Sequence, residues 1–141
     1  RKLEENHAPD LAVNAMHEII RWQTPLAHMR RTALEDVELF GQQIRKRDKL
    51  ALWYASANRD ESIFPGGDKI IVDRANARRP LAFGYGIHRC VGARIAELQL
   101  TTLISEMQRL RLRAHVVGQP ERVHACFVHG YTALPVQLER Y

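Results

Sequence analysis

The sequence predicts a domain in which amphipathic helices are combined with short β-strands. Two segments place apolar residues at helical spacing, several short apolar runs read as strands, and glycine and proline mark the turns between them. The chain has 141 residues, of which 45% are hydrophobic and 26% are charged. This length fits one domain, and this composition excludes collagen-like, low-complexity and strongly disordered proteins.

The first helix is predicted over residues 11–22. Pro9 suits the first helical position, and Asp10 places a carboxylate near the positive end of the helix dipole. Pro25 marks the end, because the residue before a proline is pushed out of the helical region. The apolar stripe consists of Ala12, Ala15, Met16, Ile19 and Ile20.

Short extended segments are predicted for the middle of the chain. Residues 37–40 and 50–54 are strand-like, with Gly41 where a hairpin would turn. Residues 56–67 are rich in polar residues, proline and glycine, which predicts a loop or a very short helix.

A long helix over residues 96–110 is predicted by apolar residues that recur every three or four positions. Residues 112–117, 122–128 and 132–138 then read as strands.

Cys126 falls in the second of these strands and is interpreted as an inert, small apolar side chain. With only two cysteines, the chain does not predict a disulfide framework, and a reducing compartment is the simpler assumption.

The net charge of +5 is distributed unevenly. Residues 74–94 contain five arginines and no acidic residue, and a second basic cluster lies at residues 45–49. Such clusters indicate either a solvated face or a docking surface for an acidic partner. A nucleic-acid-binding module is suggested only by this charge, because no helix-turn-helix signal or basic patch interleaved with aromatic residues accompanies it.

Neither a transmembrane segment nor a signal peptide is predicted. No apolar run approaches the roughly 18 residues that span a bilayer, and residues 1–10 lack the apolar core of a signal peptide. The chain begins with Arg1 rather than methionine, which suggests a piece of a longer protein.

Residues 83–92 (FGYGIHRCVG) carry the strongest chemical signal. They place Cys90 in a glycine-rich loop just before the long helix, where free backbone N–H groups and the helix dipole favour an anion. With His88 and Arg89 nearby, this environment favours the thiolate, which acts as a nucleophile or a metal ligand. No second cysteine lies at a zinc-ligand spacing, and no βαβ unit supports a dinucleotide site. The three glycines, Gly84, Gly86 and Gly92, allow the backbone to approach a flat partner closely.

The run F-G-x-G-x-H-x-C-x-G in this loop resembles the haem-binding signature of cytochrome P450 monooxygenases. Glu18 and Arg21 match the E-x-x-R motif of the family, and residues 56–60 (SANRD) resemble its meander region. The resemblance implies a mainly α fold with small β-sheets. It also implies that residues 1–141 are the C-terminal part of a single P450 domain whose N-terminal part is absent, so that this chain alone is inactive.

The resemblance also implies roles for individual residues. Cys90 would be the axial thiolate ligand of haem iron, a ligand suited to oxygen activation. Phe83 would pack beside the sulfur, and Gly92 would leave room for the macrocycle. His88 and Arg31 would donate to the haem propionates. The implied cofactor-binding set is Cys90, His88, Arg31, Phe83, Gly84 and Gly92.

Further positions follow from the same likeness. Glu18 and Arg21 would form a buried triad with Arg74. Pro80 departs from the pattern, because many bacterial relatives carry histidine there, and its presence removes a possible hydrogen bond near the cofactor. His28 is either a polar handle for substrate or a structural histidine. The residues implied to line the substrate pocket are Leu26, Ala27, Met29, Phe127 and Val128.

Residues 24–33 and 74–78 are most similar to the bacterial branch that hydroxylates the terminal carbon of medium-chain alkanes and fatty acyl compounds. The implied cofactor is haem b, with O₂ as co-substrate. The implied partners are a ferredoxin and an NAD(P)H-dependent ferredoxin reductase. The implied location is the bacterial cytoplasm, with a peripheral association with the membrane as the alternative. The alternative is a haem sensor or electron carrier with the same thiolate loop.

The basic residues expected to face the acidic ferredoxin are Arg89 and Arg94, with Arg45, Lys46 and Arg47 as further candidates.

Overall fold

The structure is a computed structural model and describes residues 2–6 and 8–141. Two long helices pack against each other and form its centre. Both were predicted, although each begins two or three residues earlier than expected. The helices are α1 (Lys2–Glu5), α2 (Pro9–Gln23), α3 (Tyr54–Ala57) and α4 (Ala93–Arg109), and a 3₁₀ turn lies at Gly86–His88.

Helix α2 buries one face and ends in a left-handed cap. Ala12, Ala15 and Met16 are no more than 2% exposed, as their helical spacing predicted. Thr24 takes a φ of 41°, and its N–H donates to the carbonyl oxygen of Ile20 over 2.9 Å. This cap turns the chain sharply out of the helix.

Within residues 2–6 and 8–141 the strands form four separate two-stranded antiparallel sheets, and none of these sheets is large. A mainly α fold with small sheets is therefore confirmed. The strand pairs are β1 (Met29–Thr32) with β4 (Lys49–Leu52), β2 (Val37–Leu39) with β3 (Gln42–Ile44), β5 (Leu112–Val116) with β8 (Val136–Arg140), and β6 (Glu121–Arg122) with β7 (Tyr131–Ala133).

The strand predicted over residues 50–54 is too long. Pairing ends where Met29 faces Leu52, and Tyr54 instead begins α3. The reason is a long-range bond: the Ala55 N–H donates to the Ala27 carbonyl over 3.1 Å, which draws the chain away from the β1–β4 ladder.

The strand predicted over residues 122–128 is also wrong in most of its length. Regular pairing stops at Arg122, where the β6–β7 register shifts, and Val128 forms only an isolated bridge with Leu26. Cys126 consequently lies in a bend and is exposed, rather than buried in a strand.

The single strand predicted over residues 132–138 is divided into two. Pro135 lies between β7 and β8 and has no N–H to donate to a ladder, so the two strands join different sheets.

The core brings α2, α4 and the cysteine-containing loop together. Met16 and Ile20 from α2 contact Ala82, and Phe83 and Leu100 pack around them. The segment before Cys90 is thereby held between the two long helices. Among the described residues, no helix is both long and apolar enough to cross a bilayer.

Candidate functional site

A mainly apolar cavity of about 430 Å³ opens where the end of α2, the chain leading into β1, the residue 83–92 loop and the start of α4 meet. Six of the residues singled out in the sequence lie in its wall: Leu26, Met29, Phe83, Gly84, His88 and Cys90. The remaining predicted residues lie outside this wall and are described below.

Main-chain hydrogen bonds hold Cys90 at the cavity wall. Its N–H donates to the Phe83 carbonyl over 2.9 Å, and its own carbonyl accepts from the N–H of Ala93, the first residue of α4, over 3.3 Å. The thiol is exposed. A Cβ added at Gly92 would lie 3.8 Å from the sulfur, an ordinary contact, so no protein atom requires glycine there. The loop therefore presents one accessible sulfur beside the first turn of α4.

Gly84 is favoured by its conformation, and its surroundings leave little room for a side chain. Its φ is +70°, and a Cβ there would lie 3.1 Å from the Tyr54 hydroxyl oxygen. Gly86 has a φ of +74° but faces open space. Sequence reasoning missed Tyr54, because it was assigned to a strand and carried no recognisable motif.

Arg31 does not line the cavity that contains Cys90. It lies half-buried on β1 and borders a neighbouring cavity of about 330 Å³ together with Trp53, Tyr54 and Tyr85. Its Nη1 donates only to the Arg30 carbonyl, over 3.0 Å. Tyr54 lines both cavities and so lies at the boundary between them.

The five predicted pocket-lining residues lie on two adjoining segments. The Ala27 N–H donates to the Phe127 carbonyl over 3.2 Å, and Leu26 pairs with Val128. Only Leu26 and Met29 reach the cavity wall, while the Ala27 side chain is buried and those of Phe127 and Val128 are more than a third exposed.

His28 lies beside this strand pair in an aromatic cluster. Its ring centroid is 4.9 Å from that of Trp53 and 5.8 Å from that of Phe127. Its Nδ1 is buried and has no hydrogen-bond partner among the described residues.

Glu18, Arg21 and Arg74 form a buried ion cluster that does not line the cavity. Arg21 donates to Glu18 over 2.8 and 2.9 Å, and Arg74 donates to both carboxylate oxygens over 3.1 Å. Glu18 and Arg21 are fully buried, and Arg74 is 6% exposed. Although burial alone would raise the pKa of the Glu18 carboxyl, hydrogen bonds from Arg21, the Ile71 N–H and Arg74 together hold that pKa below its usual value.

The ion cluster ties distant segments to α2. Arg21 donates to the carbonyls of Gly67 and Lys69, each over 2.9 Å. Asn58 extends this network: its amide donates to the Thr24 hydroxyl over 3.0 Å, and its side-chain oxygen accepts from the Leu81 N–H over 2.7 Å. Asn58 thereby joins the end of α2 to the start of the loop that carries Cys90, a role that the sequence did not reveal.

The comparisons with known proteins identify the family. The family model described as Cytochrome P450 matches residues 10–129. The chain belongs to the cytochrome P450 family.

Relatives in this family include a linalool 8-monooxygenase of Pseudomonas putida, 42% identical over 92% of this chain and 32% of that protein. A methyl-branched lipid omega-hydroxylase of Mycobacterium bovis is 41% identical over 89% of this chain and 29% of its own length. The solved structure of CYP153D17 from Sphingomonas sp. PAMC 26605 matches with a TM-score of 0.91 and 66% identity, over 99% of this chain and 34% of that one. The chain thus spans about a third of the length of these P450 relatives.

The donor set fits the haem group that the P450 family implies. One accessible thiol, Cys90, can supply a thiolate to iron, and the apolar wall suits the faces of a porphyrin. His88 in the same wall and Arg31 in the adjoining cavity are suitable donors for two carboxylates. The residue 83–92 loop contains no aspartate or glutamate whose carboxylate could compete with the Cys90 thiolate for the iron.

Three arginines, Arg78, Arg89 and Arg94, line a second cleft, between α2 and the start of α4. Arg89 and Arg94 lie 3.7 Å and 3.1 Å from the carboxylate of Glu97, and Arg78 and His17 complete the cleft. Burial lowers the pKa of His17, which leaves the arginines as the positive groups there. The three basic residues at positions 45–47 lie between β3 and β4 and do not line this cleft.

Proposed function

We propose that this protein is a haem-dependent monooxygenase that inserts one oxygen atom from O₂ into a hydrophobic substrate, and that residues 1–141 form the C-terminal part of its single P450 domain. The observation that carries the proposal is the position of Cys90. Its thiol is accessible in the wall of an apolar cavity, within a loop that matches the haem-binding signature of the family.

When bound, haem b would supply the activation of O₂, and a thiolate ligand favours O–O cleavage. The chain's own residues bind and orient that group. Cys90 would supply the thiolate that holds the iron, from a loop in which its N–H donates to the Phe83 carbonyl. The apolar side chain of Phe83 limits access of water to the sulfur, which tunes the potential of such a site. His88 and Arg31 neutralise and orient the propionates.

The substrate side of the cavity favours an aliphatic molecule. Leu26 and Met29 present flexible apolar side chains to it and offer no charged group. The similarity of residues 24–33 and 74–78 to the alkane-hydroxylating branch supports terminal hydroxylation of medium-chain alkanes or fatty acids. The relationship to an omega-hydroxylase of methyl-branched lipids is in keeping with this choice.

The proposed electron donor is a ferredoxin that is reduced by an NAD(P)H-dependent ferredoxin reductase. Arg89 and Arg94 are at least half exposed and line a cleft other than the one that contains Cys90, where opposite charge would steer an acidic protein. Both described cysteines are free thiols, as expected of a protein in the reducing cytoplasm.

The test is turnover by the full-length protein supplied with haem, NADH, a ferredoxin and its reductase. The proposal predicts NADH-dependent formation of a terminal alcohol from octane. A protein that binds haem and accepts electrons but forms no product from any substrate would instead be a haem sensor or electron carrier. The substrate assignment fails separately if no n-alkane or fatty acid shifts the haem spectrum while a sterol or terpene does.

A further inference from the structure

Tyr54 has an unusual position for a buried polar side chain. The residue as a whole is only 7% exposed, but its hydroxyl oxygen is not among the buried polar atoms that lack a hydrogen-bond partner. The hydroxyl, for which no hydrogen bond to a described residue is seen, is therefore not sealed in the core, and the residue lines two cavities. The hydroxyl of Tyr54 therefore has an unused capacity to donate a hydrogen bond.

The surroundings indicate which kind of acceptor would suit this hydroxyl. The ring lies in the walls of both cavities, the one that contains Cys90 and His88 and the one that contains Arg31. Its hydroxyl packs against Gly84, where a Cβ would come within 3.1 Å of the oxygen. Arginine and histidine on either side of one phenol favour an anion between them, and the rest of the wall is apolar.

We propose that Tyr54 is a positioning residue for the cofactor, and that its hydroxyl donates to a haem carboxylate alongside His88 and Arg31. This inference rests on the proposed function, because it requires that haem binds at Cys90. The contact would fix the haem edge against the loop. Gly84 has no side chain that could push the phenol away from this position.

The test uses Tyr54→Phe in the full-length holoprotein, and it measures the rate at which haem is lost to an excess of apomyoglobin. A hydrogen bond to a charged group corresponds to an increase of about 10- to 100-fold in the rate of haem loss. Tyr131→Phe, a change at a part-exposed tyrosine on β7, is the matched control and should leave the rate unchanged.

A second arm separates a carboxylate contact from simple packing. Both proteins are reconstituted with iron protoporphyrin dimethyl ester, which has no carboxylates. The difference between wild type and Tyr54→Phe should then fall to a few-fold or less. Equal rates with native haem, or an undiminished difference with the diester, would overturn the inference.

Failure of this inference can be distinguished from failure of the proposed function. Wild-type protein that takes up no haem overturns both. Wild-type protein that holds thiolate-ligated haem, with no effect of Tyr54→Phe, overturns only the role of Tyr54.

Discussion

Glu18 is a fully buried carboxylate whose charge is balanced by two arginines that come from different parts of the chain. Removal of one partner from such a cluster leaves buried charge uncompensated, which costs about 3–5 kcal/mol. We expect Glu18→Ala in the full-length protein to lower the free energy of unfolding by this amount and to cause loss of haem. Denaturant unfolding and the haem-to-protein ratio measure the two effects, and full haem occupancy would contradict the assignment.

The matched control is Glu106→Ala on α4. Glu106 and Arg109 also form an ion pair three residues apart, but both side chains are about half exposed or more. Exposed pairs contribute little to stability. The midpoint of unfolding should therefore hardly change in this variant, and a loss as large as that of Glu18→Ala would show that burial is not the deciding factor.

The pH dependence of the free energy of unfolding should show the contribution of the Glu18 charge directly. Because its pKa in the folded protein lies below the ordinary value of 4.5, its charge stabilises the fold above that pH, and this contribution is lost as the pH falls through the folded pKa. The stability difference between wild type and Glu18→Gln should be constant at neutral pH and shrink in acid. A difference that stays constant into acid would contradict the cause given for the shift.

At the scale of single residues, the sequence indicated which side chains could carry chemistry better than it indicated which residues contact one another. Cys90 was conspicuous because glycines, basic residues and a helix start surround it in sequence. Tyr54 and Asn58 contact residues far away in the sequence: Gly84 in the first case, and Thr24 and Leu81, which are 34 and 23 positions away, in the second. No local pattern encodes such contacts. The predicted role of Arg31 as a propionate donor stays a prediction, and its place in the cavity on the other side of Tyr54 depends on packing that the sequence does not show.

At the scale of elements, the loop that carries Cys90 depends on two glycines in the left-handed region. Gly84→Ala should combine backbone strain of roughly 1–2 kcal/mol with a collision against the Tyr54 hydroxyl, whereas Gly86→Ala should show the strain alone. We expect the first variant to unfold at a clearly lower denaturant concentration than the second. Tyr54→Phe should partly rescue Gly84→Ala, and equal destabilisation by both alanine variants would show that the contact is unimportant.

The start of α4 presents the surface proposed for the electron donor. Arg89→Glu should slow electron transfer from an acidic ferredoxin at low salt, and the difference from wild type should shrink as salt is added, because screening weakens long-range attraction. Arg122→Glu, on the distant strand β6, serves as the control. An unchanged rate for Arg89→Glu at low ionic strength, measured by stopped-flow absorption, would remove Arg89 from the docking surface.

The two long helices were predictable because their apolar periodicity is local and strong. The strands were less predictable, since their limits are set by partners elsewhere in the chain. Leu52 ends β4 because Ala55 bonds to Ala27, and Arg122 ends β6 because Val128 pairs with Leu26. Pro135 was the exception, because a missing N–H is visible in the sequence and should have divided the last predicted strand.

At the scale of the whole molecule, the chain exposes more surface than a self-contained protein of its mass. Its accessible area is 10404 Å², whereas a compact monomer of 16.2 kDa would expose about 7,500 Å². Part of the excess is apolar: on α4, Ile95, Leu98 and Leu103 are each more than half exposed. This surface supports the proposal that the remainder of a P450 domain covers these faces.

We therefore expect residues 1–141, prepared alone, to unfold without a cooperative transition and to bind the apolar dye ANS. Differential scanning calorimetry and dye fluorescence check this expectation, with the full-length protein as the control. A single sharp endotherm and no dye binding would show that residues 1–141 fold cooperatively even though these apolar faces are exposed to solvent.

The most direct test of the account is the ferrous–CO absorption spectrum of the full-length protein, measured for wild type and for Cys90→Ser. If Cys90 is the thiolate ligand, the wild type should show the absorption band that defines the P450 family, and Cys90→Ser should lose it. A wild-type spectrum typical of histidine-ligated globins, or a band that survives in Cys90→Ser, would contradict it.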